Sequence, residues 1–466
     1  MEYNTEMLTA LAQQLTETFK LALTEHVRAG RAEPTLADVE TEMRQMLRQV
    51  GARALSLFLS TALGTPAAEI ACRCGGKLHY QRFREATITT VFGKLSYQRA
   101  YYAGCTCGQG QAPLDEKYGV VPGATSSGLA ALIGLAGVEF AFDESRAWLK
   151  RFLLFEVSEN TVRSETQTFG DLQVARETVA HQHSQDEDHL QTRQREASVR
   201  PPRLYGSLDA AKVRIEPRTA AEKQAEDRET WRDLKVGCWY EAETVPPAQR
   251  STRQRDKFAR EQVALRAKNI RYYCDIAEAE TFGLLLWATG CAAQADLVRE
   301  LVFVCDGALW IWNLIKHYYP QAIQIVDWYH AAERLKVVAQ AAFANEADRH
   351  PWLELNTQDL WEGRVAAVIR ACTQLAPQCA VADQAVTYFT NHADRMQYDQ
   401  FRAAGYLIGS GTVESGCKQI VTQRLKQPGA QWTVAGAVKT AKARAAWLSG
   451  EWDVLCTQRA ALPLAV

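Results

Sequence analysis

ELVFVCDGALWIWNLIKHYYPQAIQIVDWYHA, residues 300–331, reads as strand, helix, strand. LVFVCDG is a continuous apolar run closed by an acid and a glycine, the pattern of a strand buried on both faces. ALWIWNLIKHYYP follows with helical spacing and stops at Pro320. AIQIVDWYH is a second buried strand, and it too ends in an acid, Asp327.

Upstream, RLYGSLDAAKVRI (203–215), RDLKVGCWYEAE (232–243) and IRYYCDIAEA (270–279) read as three strands of an antiparallel meander. TFGLLLWATGCAAQADLVRE (281–300) is a helix. The polar segment 245–262 between the second and third strands is a loop or short helix. Three antiparallel strands, then two strands parallel to the first, is the order of an RNase H-like fold. It sets Asp209 on the first strand and Asp306 at the end of the fourth, on neighbouring strands, so that the two acids meet at one sheet edge. Residues 331–405 are helical throughout and interrupt that fold before its last helices. GSGTVESGCKQI (409–420) then delivers a third acid, Glu414, behind a Gly-Ser-Gly turn.

Three carboxylates on such elements give the hard oxygen ligands of a two-metal phosphoryl-transfer site. A strand-end Asp also caps helices, so each acid alone says little. Asp327 is the rival for third ligand. Asp327 and His330 equally suit an N-cap and its first helical turn, or a contact beside the metals.

The N-terminal third has other characters. Residues 1–66 read as helix, with apolar spacing from Leu36 to Leu63, and suit oligomerisation. Across 70–120, TITTVFGKLSYQRAYY is a β-hairpin bracketed by Cys72 and Cys74 on one side and Cys105 and Cys107 on the other. That is a zinc-ribbon-like arrangement for one structural Zn²⁺, with a Cys-x-Cys bite narrower than the usual spacing and His79 as a reserve ligand. Residues 121–200 return to helix: two helices, then EVSENTVRSET with Ser158 as N-cap and Arg163 outward, a helix-turn-helix-like segment followed by a long polar helix. Pro201-Pro202 marks the main domain boundary, 203–330 is the first part of the RNase H-like domain, and 406–456 holds its final helices.

At 466 residues the length suits about three domains, so the fold class is multidomain α+β. No apolar stretch is long enough for a membrane span and the N-terminus has no basic leader, so a cytoplasmic, nucleoid-associated protein is expected. The eight Cys outside the hairpin read as buried thiols. A formal net charge of −1 gives no overall attraction to nucleic acid. Between Ser415 and Gly450, however, Lys418, Arg424, Lys426, Lys439, Lys442 and Arg444 occur without an acid, which suggests a phosphate-contacting face. The insertion tryptophans Trp352 and Trp361 read as core.

GSLDAAKV, CDGALWIWNLIKHYYPQAIQIVDWYHA and GSGTVESGCKQIVTQRLKQPGAQW resemble bacterial insertion-sequence transposases of the ISKra family, in the Mutator-like DDE supergroup. The resemblance runs from about Cys72 to Trp447. It implies Asp209, Asp306 and Glu414 as ligands of two Mg²⁺ (or Mn²⁺), with Asp327 and His330 matching an Asp-x-x-His element. It also implies DNA as partner, both terminal inverted repeats and target, a homodimer or higher oligomer, and no small-molecule substrate. A nuclease that cuts without joining and a non-catalytic DNA-binding derivative are the alternatives.

Overall fold

The computed structural model describes residues 5–29, 35–61, 65–197, 202–216, 230–245 and 265–461. Arg200, Pro201 and most of the polar segment 245–262 lie outside them. Two compact units emerge, Met1–Phe169 with Asp453–Val466, and Gly170–Trp452. The division falls inside the helix Glu159–Gln185, upstream of the expected boundary at Pro201-Pro202. Among the described residues, no helix is long and apolar enough to cross a membrane.

The first unit begins with helices Thr5–Ala29 and Leu36–Thr61. Strands β1 (Glu69–Ala71), β2 (Lys77–Thr90) and β3 (Gly93–Ala103) form one antiparallel sheet. The hairpin is longer than its alternating core, because β2 and β3 stay paired from Thr90↔Gly93 out to His79↔Ala103. Alternation buries Ala86, Ile88, Leu95 and Tyr97 against Leu59, Leu114 and Val120. Helices Ser127–Glu139 and Phe142–Leu153 follow. Ser158 accepts from the Thr161 N–H at 3.0 Å and so caps the next helix, as its sequence requires. The polar helix beyond it is broken, since Asp186 caps a separate helix Glu187–Glu196.

The second unit is built on a five-stranded sheet, β4 (Arg203–Arg214), β5 (Trp231–Thr244), β6 (Leu265–Asp275), β7 (Glu300–Cys305) and β8 (Ile323–Val326). Their spatial order is β6-β5-β4-β7-β8. β4, β5 and β6 pair antiparallel, while β7 pairs parallel to β4 and β8 parallel to β7. β7 is an apolar run after Glu300, and β8 is one broken only by Gln324, as strands of a covered parallel sheet are. One sheet face carries an aromatic core: the Trp239 ring lies 5.5 Å from Phe303 and 5.7 Å from Tyr319, centroid to centroid. Gly206 is needed there, since a Cβ would enter the rings of Phe303 and Trp239.

After β8 the chain is helical from Trp328 to Ala403. It returns through Gly411–Gly416, a π-helical stretch Cys417–Thr422, and the helix Val434–Leu448. Apart from the Cys72 cluster, the thiols are buried, with Cys456 half-buried. Trp361, Trp312 and Trp432 are buried core residues.

Candidate functional site

Register places the acids. β4 and β7 pair Arg203↔Glu300 through Gly206↔Phe303, and the same offset carried forward sets Asp209 level with Asp306. β7 and β8 pair Val302↔Ile323 through Cys305↔Val326, which sets Asp306 level with Asp327. Three acids thus stand in a row across three adjacent parallel strands, Asp209 midway along β4 and Asp306 and Asp327 just past the ends of β7 and β8.

Each is held differently. Asp209 is half-buried, and its Oδ1 accepts from the Ala210 N–H at 2.7 Å. Burial raises its carboxyl, the Ala210 N–H and the Cys417 thiol oppose this, and the negative charges of Asp306 and Glu414 raise it further. Asp306 accepts from the Ala308 N–H at 2.9 Å, turning the chain from β7 into the next helix. Glu414 is exposed, and its Oε1 accepts from the Ser410 hydroxyl at 2.8 Å. The π-helical turn begins three residues later, a distortion often found at functional sites.

Asp327 is fully buried. One oxygen accepts from the His330 N–H at 2.7 Å, capping Trp328–Ala342, and the other accepts from the Ser410 N–H. Burial acts to raise its carboxyl, but the His330 ring and the two backbone N–H groups outweigh it and hold it below the usual range. His330 Nδ1 lies 3.3 Å from Asp327 and 3.7 Å from Glu414. Its hydrogen bond to Asp327 lifts the imidazole to about 9, against burial, with help from the charges of Asp327, Glu414 and Asp306.

Ligand atoms of Asp327, His330 and Glu414 all come within 4.8 Å of one another, a group that can hold a metal ion. Those of Asp209, Asp306 and Glu414 do not. Like charges without a cation between them separate, and ions spaced ~3.5–4 Å apart span wider ligand sets than one ion does. Both oxygens of Asp327 already serve backbone donors, so its geometry is that of a tie between β8 and the Glu414 turn.

The second constellation lies in the first unit. Sγ of Cys72 is 3.5 Å from Cys107 and 3.4 Å from Cys74, which is 3.4 Å from Cys105. Two tight turns aim them, with Gly75 N–H donating to Cys72 O and Gly108 N–H to Cys105 O. Gly76 matters by its lack of a side chain, because a Cβ there would come 2.7 Å from the Cys105 sulfur. The Cys105 thiol is lowered to about 6 by the Cys107 N–H and the Cys74 thiol. The Cys74 N–H lowers Cys72, but desolvation and neighbouring thiols push it up to about 12. Cys105 therefore ionises readily while Cys72 resists ionisation, and the four sulfurs lie close enough together to hold Zn²⁺. His79 lies outside the cluster, 3.9 Å from Glu69.

The basic segment requires correction. Arg424, Lys442 and Arg444 are buried, with 2%, 2% and 4% exposure, and cannot form an outward phosphate-contacting face. Lys442 Nζ lies 2.5 Å from Glu177 and 3.0 Å from Asp275, and donates to Cys274 O at 2.8 Å. Burial lowers its pKa, but the two carboxylates more than offset this and the net shift is upward. Arg444 donates to Gln419 O at 2.6 Å, and Arg424 lies over the Trp432 ring. Lys442 locks elements together because its counter-charge Glu177 lies far off in sequence, whereas Arg444 and Arg424 pack on a carbonyl and a ring. Lys439 pairs with Asp171 at 2.8 Å, whereas Lys418 and Lys426 are exposed. Arg163 is half-exposed and pairs with Glu159 at 2.6 Å.

Sequence reasoning passed over Ser410 as a functional residue, although it sits inside the quoted Gly-Ser-Gly turn. No protein-family model and no curated protein sequence matches the chain.

Proposed function

We propose that the Gly170–Trp452 unit is an RNase H-like polynucleotidyl transferase, and the whole chain a DDE transposase that cuts and joins DNA. One observation carries the reading. Asp209, midway along β4, stands level with Asp306 at the end of the adjacent parallel β7 in a β6-β5-β4-β7-β8 sheet, and Glu414 arrives from beyond a helical block. That strand order is the order of RNase H-like nucleic-acid enzymes, and ligands bind outside the carboxyl ends of such strands.

The donor set fits hard divalent cations. It is carboxylate oxygen throughout, and Asp209 already feels the charge of Asp306 and Glu414. Asp209, Asp306 and Glu414 would hold Mg²⁺ or Mn²⁺. Held there, such ions would supply activation of an attacking oxygen and stabilisation of a leaving one. Asp327 fixes the Ser410 amide, and the Ser410 hydroxyl aims Glu414. His330, raised to about 9 and so cationic at neutral pH, stands beside Glu414 and can orient a phosphate oxygen. No nucleophilic Ser or Tyr is required.

The first unit would bind the terminal inverted repeats through its helix-turn-helix-like segment, with one structural Zn²⁺ on the four cysteines. Assembly into a dimer or higher oligomer is supported by Leu21, Leu36 and Leu47 on its first two helices, which are 66%, 74% and 52% exposed.

The test is a strand-transfer assay with the purified protein, element-end DNA, a target plasmid and Mg²⁺. Cleaved and joined products are expected from the wild type. Asp209→Asn, Asp306→Asn and Glu414→Gln should each lower the rate by about 10²-fold or more, as losing a group that supports transition-state charge does. Cleavage without joining would leave a nuclease, and full activity in Asp306→Asn would sink the catalytic reading.

A further inference from the structure

The helical block after β8 lies against the acid row, and two of its side chains lack a role. Tyr388, on the helix Ala380–His392, packs on the turn that follows Asp306. Its ring fills the space where a Cβ on Gly307 would be, so a glycine is required there for the ring to approach. Arg334 lies one helical turn beyond His330 on Trp328–Ala342. Its guanidinium carbon stands 4.9 Å from the centroid of the Tyr388 ring, a cation–π contact.

The electrostatics agree with this placement. Burial raises the Tyr388 phenol, Arg334 opposes, and the carboxylates of Asp306 and Asp327 raise it further. The hydroxyl thus keeps its proton and faces the same charges that a metal site would gather. Among the described residues, no hydrogen bond or ion pair engages the Tyr388 hydroxyl or the Arg334 guanidinium. An exposed guanidinium with its donors unspent, held on a ring beside a row of acids, has the geometry of an anion clamp.

We propose that Arg334 and Tyr388 bind the non-bridging oxygens of the phosphate that is processed at the Asp209–Asp306–Glu414 cluster. The proposal rests on the phosphoryl-transfer reading and deepens it. In-line attack on a phosphodiester builds negative charge on those oxygens as the attacking oxygen's bond forms and the leaving oxygen's bond breaks. A guanidinium and a phenolic O–H aimed there stabilise that charge without entering the bond changes. The helical block would then be part of the site, not a spacer between Asp327 and Glu414.

Two measurements test this on the full chain. Isothermal titration with inorganic phosphate in Mg²⁺ reads the clamp alone. Arg334→Ala should weaken binding about 10-fold to 100-fold, the scale of a lost hydrogen bond to a charged group, and Arg334→Lys should recover part of it. Tyr388→Phe should weaken binding about 3-fold to 10-fold, and Lys316→Ala, an exposed control, should change nothing. Single-turnover cleavage of element-end DNA in Mg²⁺ should fall in the same order. The proposal is overturned if Arg334→Ala matches the wild type in both measurements, including a wild type that neither binds phosphate nor cuts. Arg334-dependent phosphate binding with no Asp306-dependent cleavage would keep the clamp and sink the transposase reading. Asp306-dependent cleavage indifferent to Arg334 would do the reverse.

Discussion

Replacing Asp327 by Asn separates a structural tie from a metal ligand, and its cost can be worked from the contacts. An Asn keeps one carbonyl oxygen, which can still accept from the His330 N–H, and Asn caps helices about as well as Asp. The other oxygen becomes an NH₂ facing the Ser410 N–H, donor against donor, in a fully buried position. An unsatisfied buried donor costs about 1–3 kcal/mol, and the neutral cap bond is weaker than the charged one. The expected loss is about 3 kcal/mol, local to the turn that carries Ser410 and Glu414. Hydrogen–deuterium exchange in EDTA reads it directly. Peptides covering residues 408–416 and 326–334 should exchange about 100-fold faster in Asp327→Asn, since ~1.4 kcal/mol is a factor of ten. The wild-type carboxyl sits below its ordinary value, so its contribution is present above about pH 4 and is lost as pH falls through the lowered folded value. The variant should lack that acid limb. Mn²⁺ affinity should stay within about 10-fold of wild type, because the ordering of Glu414 weakens while its carboxylate remains. Unchanged exchange together with collapsed Mn²⁺ affinity would refute the tie and make Asp327 a ligand.

Lys442→Met should destabilise the second unit by about 3–5 kcal/mol in urea unfolding, because it leaves Glu177 and Asp275 without their shared cation. Adding Glu177→Gln should restore part of the loss, and DNA affinity per folded molecule should not change. Lys418→Ala and Lys426→Ala, at exposed positions, should instead leave stability alone and each reduce the salt slope of DNA binding by about 1. The chain should carry one Zn²⁺ by elemental analysis, and Cys105→Ser, which removes the thiol lowered to about 6, should lose it.

The strands were legible because burial on both faces writes itself as an unbroken apolar run. LVFVC is such a run and IQIV is one broken only by Gln324, and each ends where the chain turns out of the sheet. Once β7 lies parallel beside β4 and β8 parallel beside β7, the level row of Asp209, Asp306 and Asp327 follows from register alone. The four cysteines were legible for a related reason, since a hairpin brings its two flanks together whatever its length. What Asp327 does was not legible. Its sequence shows a capping acid, whereas its second oxygen is used by an amide 83 positions away, on the far side of the helical block.

The basic segment marks the limit of reading charge from sequence. Six cations without an acid between Ser415 and Gly450 look like a surface for phosphate, because local composition counts only near neighbours. Folding compensates charge across distance instead, and the Glu177 carboxylate on Lys442 lies 265 positions upstream. Small side chains could have given warning. The helix Val434–Leu448 reads VAGAVKTAKARAAWL, and five of its six alanines are buried, on more than one face. A helix packed on all sides must take its lysine and arginine inward with it, and an inward cation needs a carboxylate or carbonyl from another element. Exposure therefore divides the segment by role. Lys418 and Lys426 remain exposed, free to meet the DNA proposed as partner, and Arg424, Lys442 and Arg444 are buried within the packing of their helices.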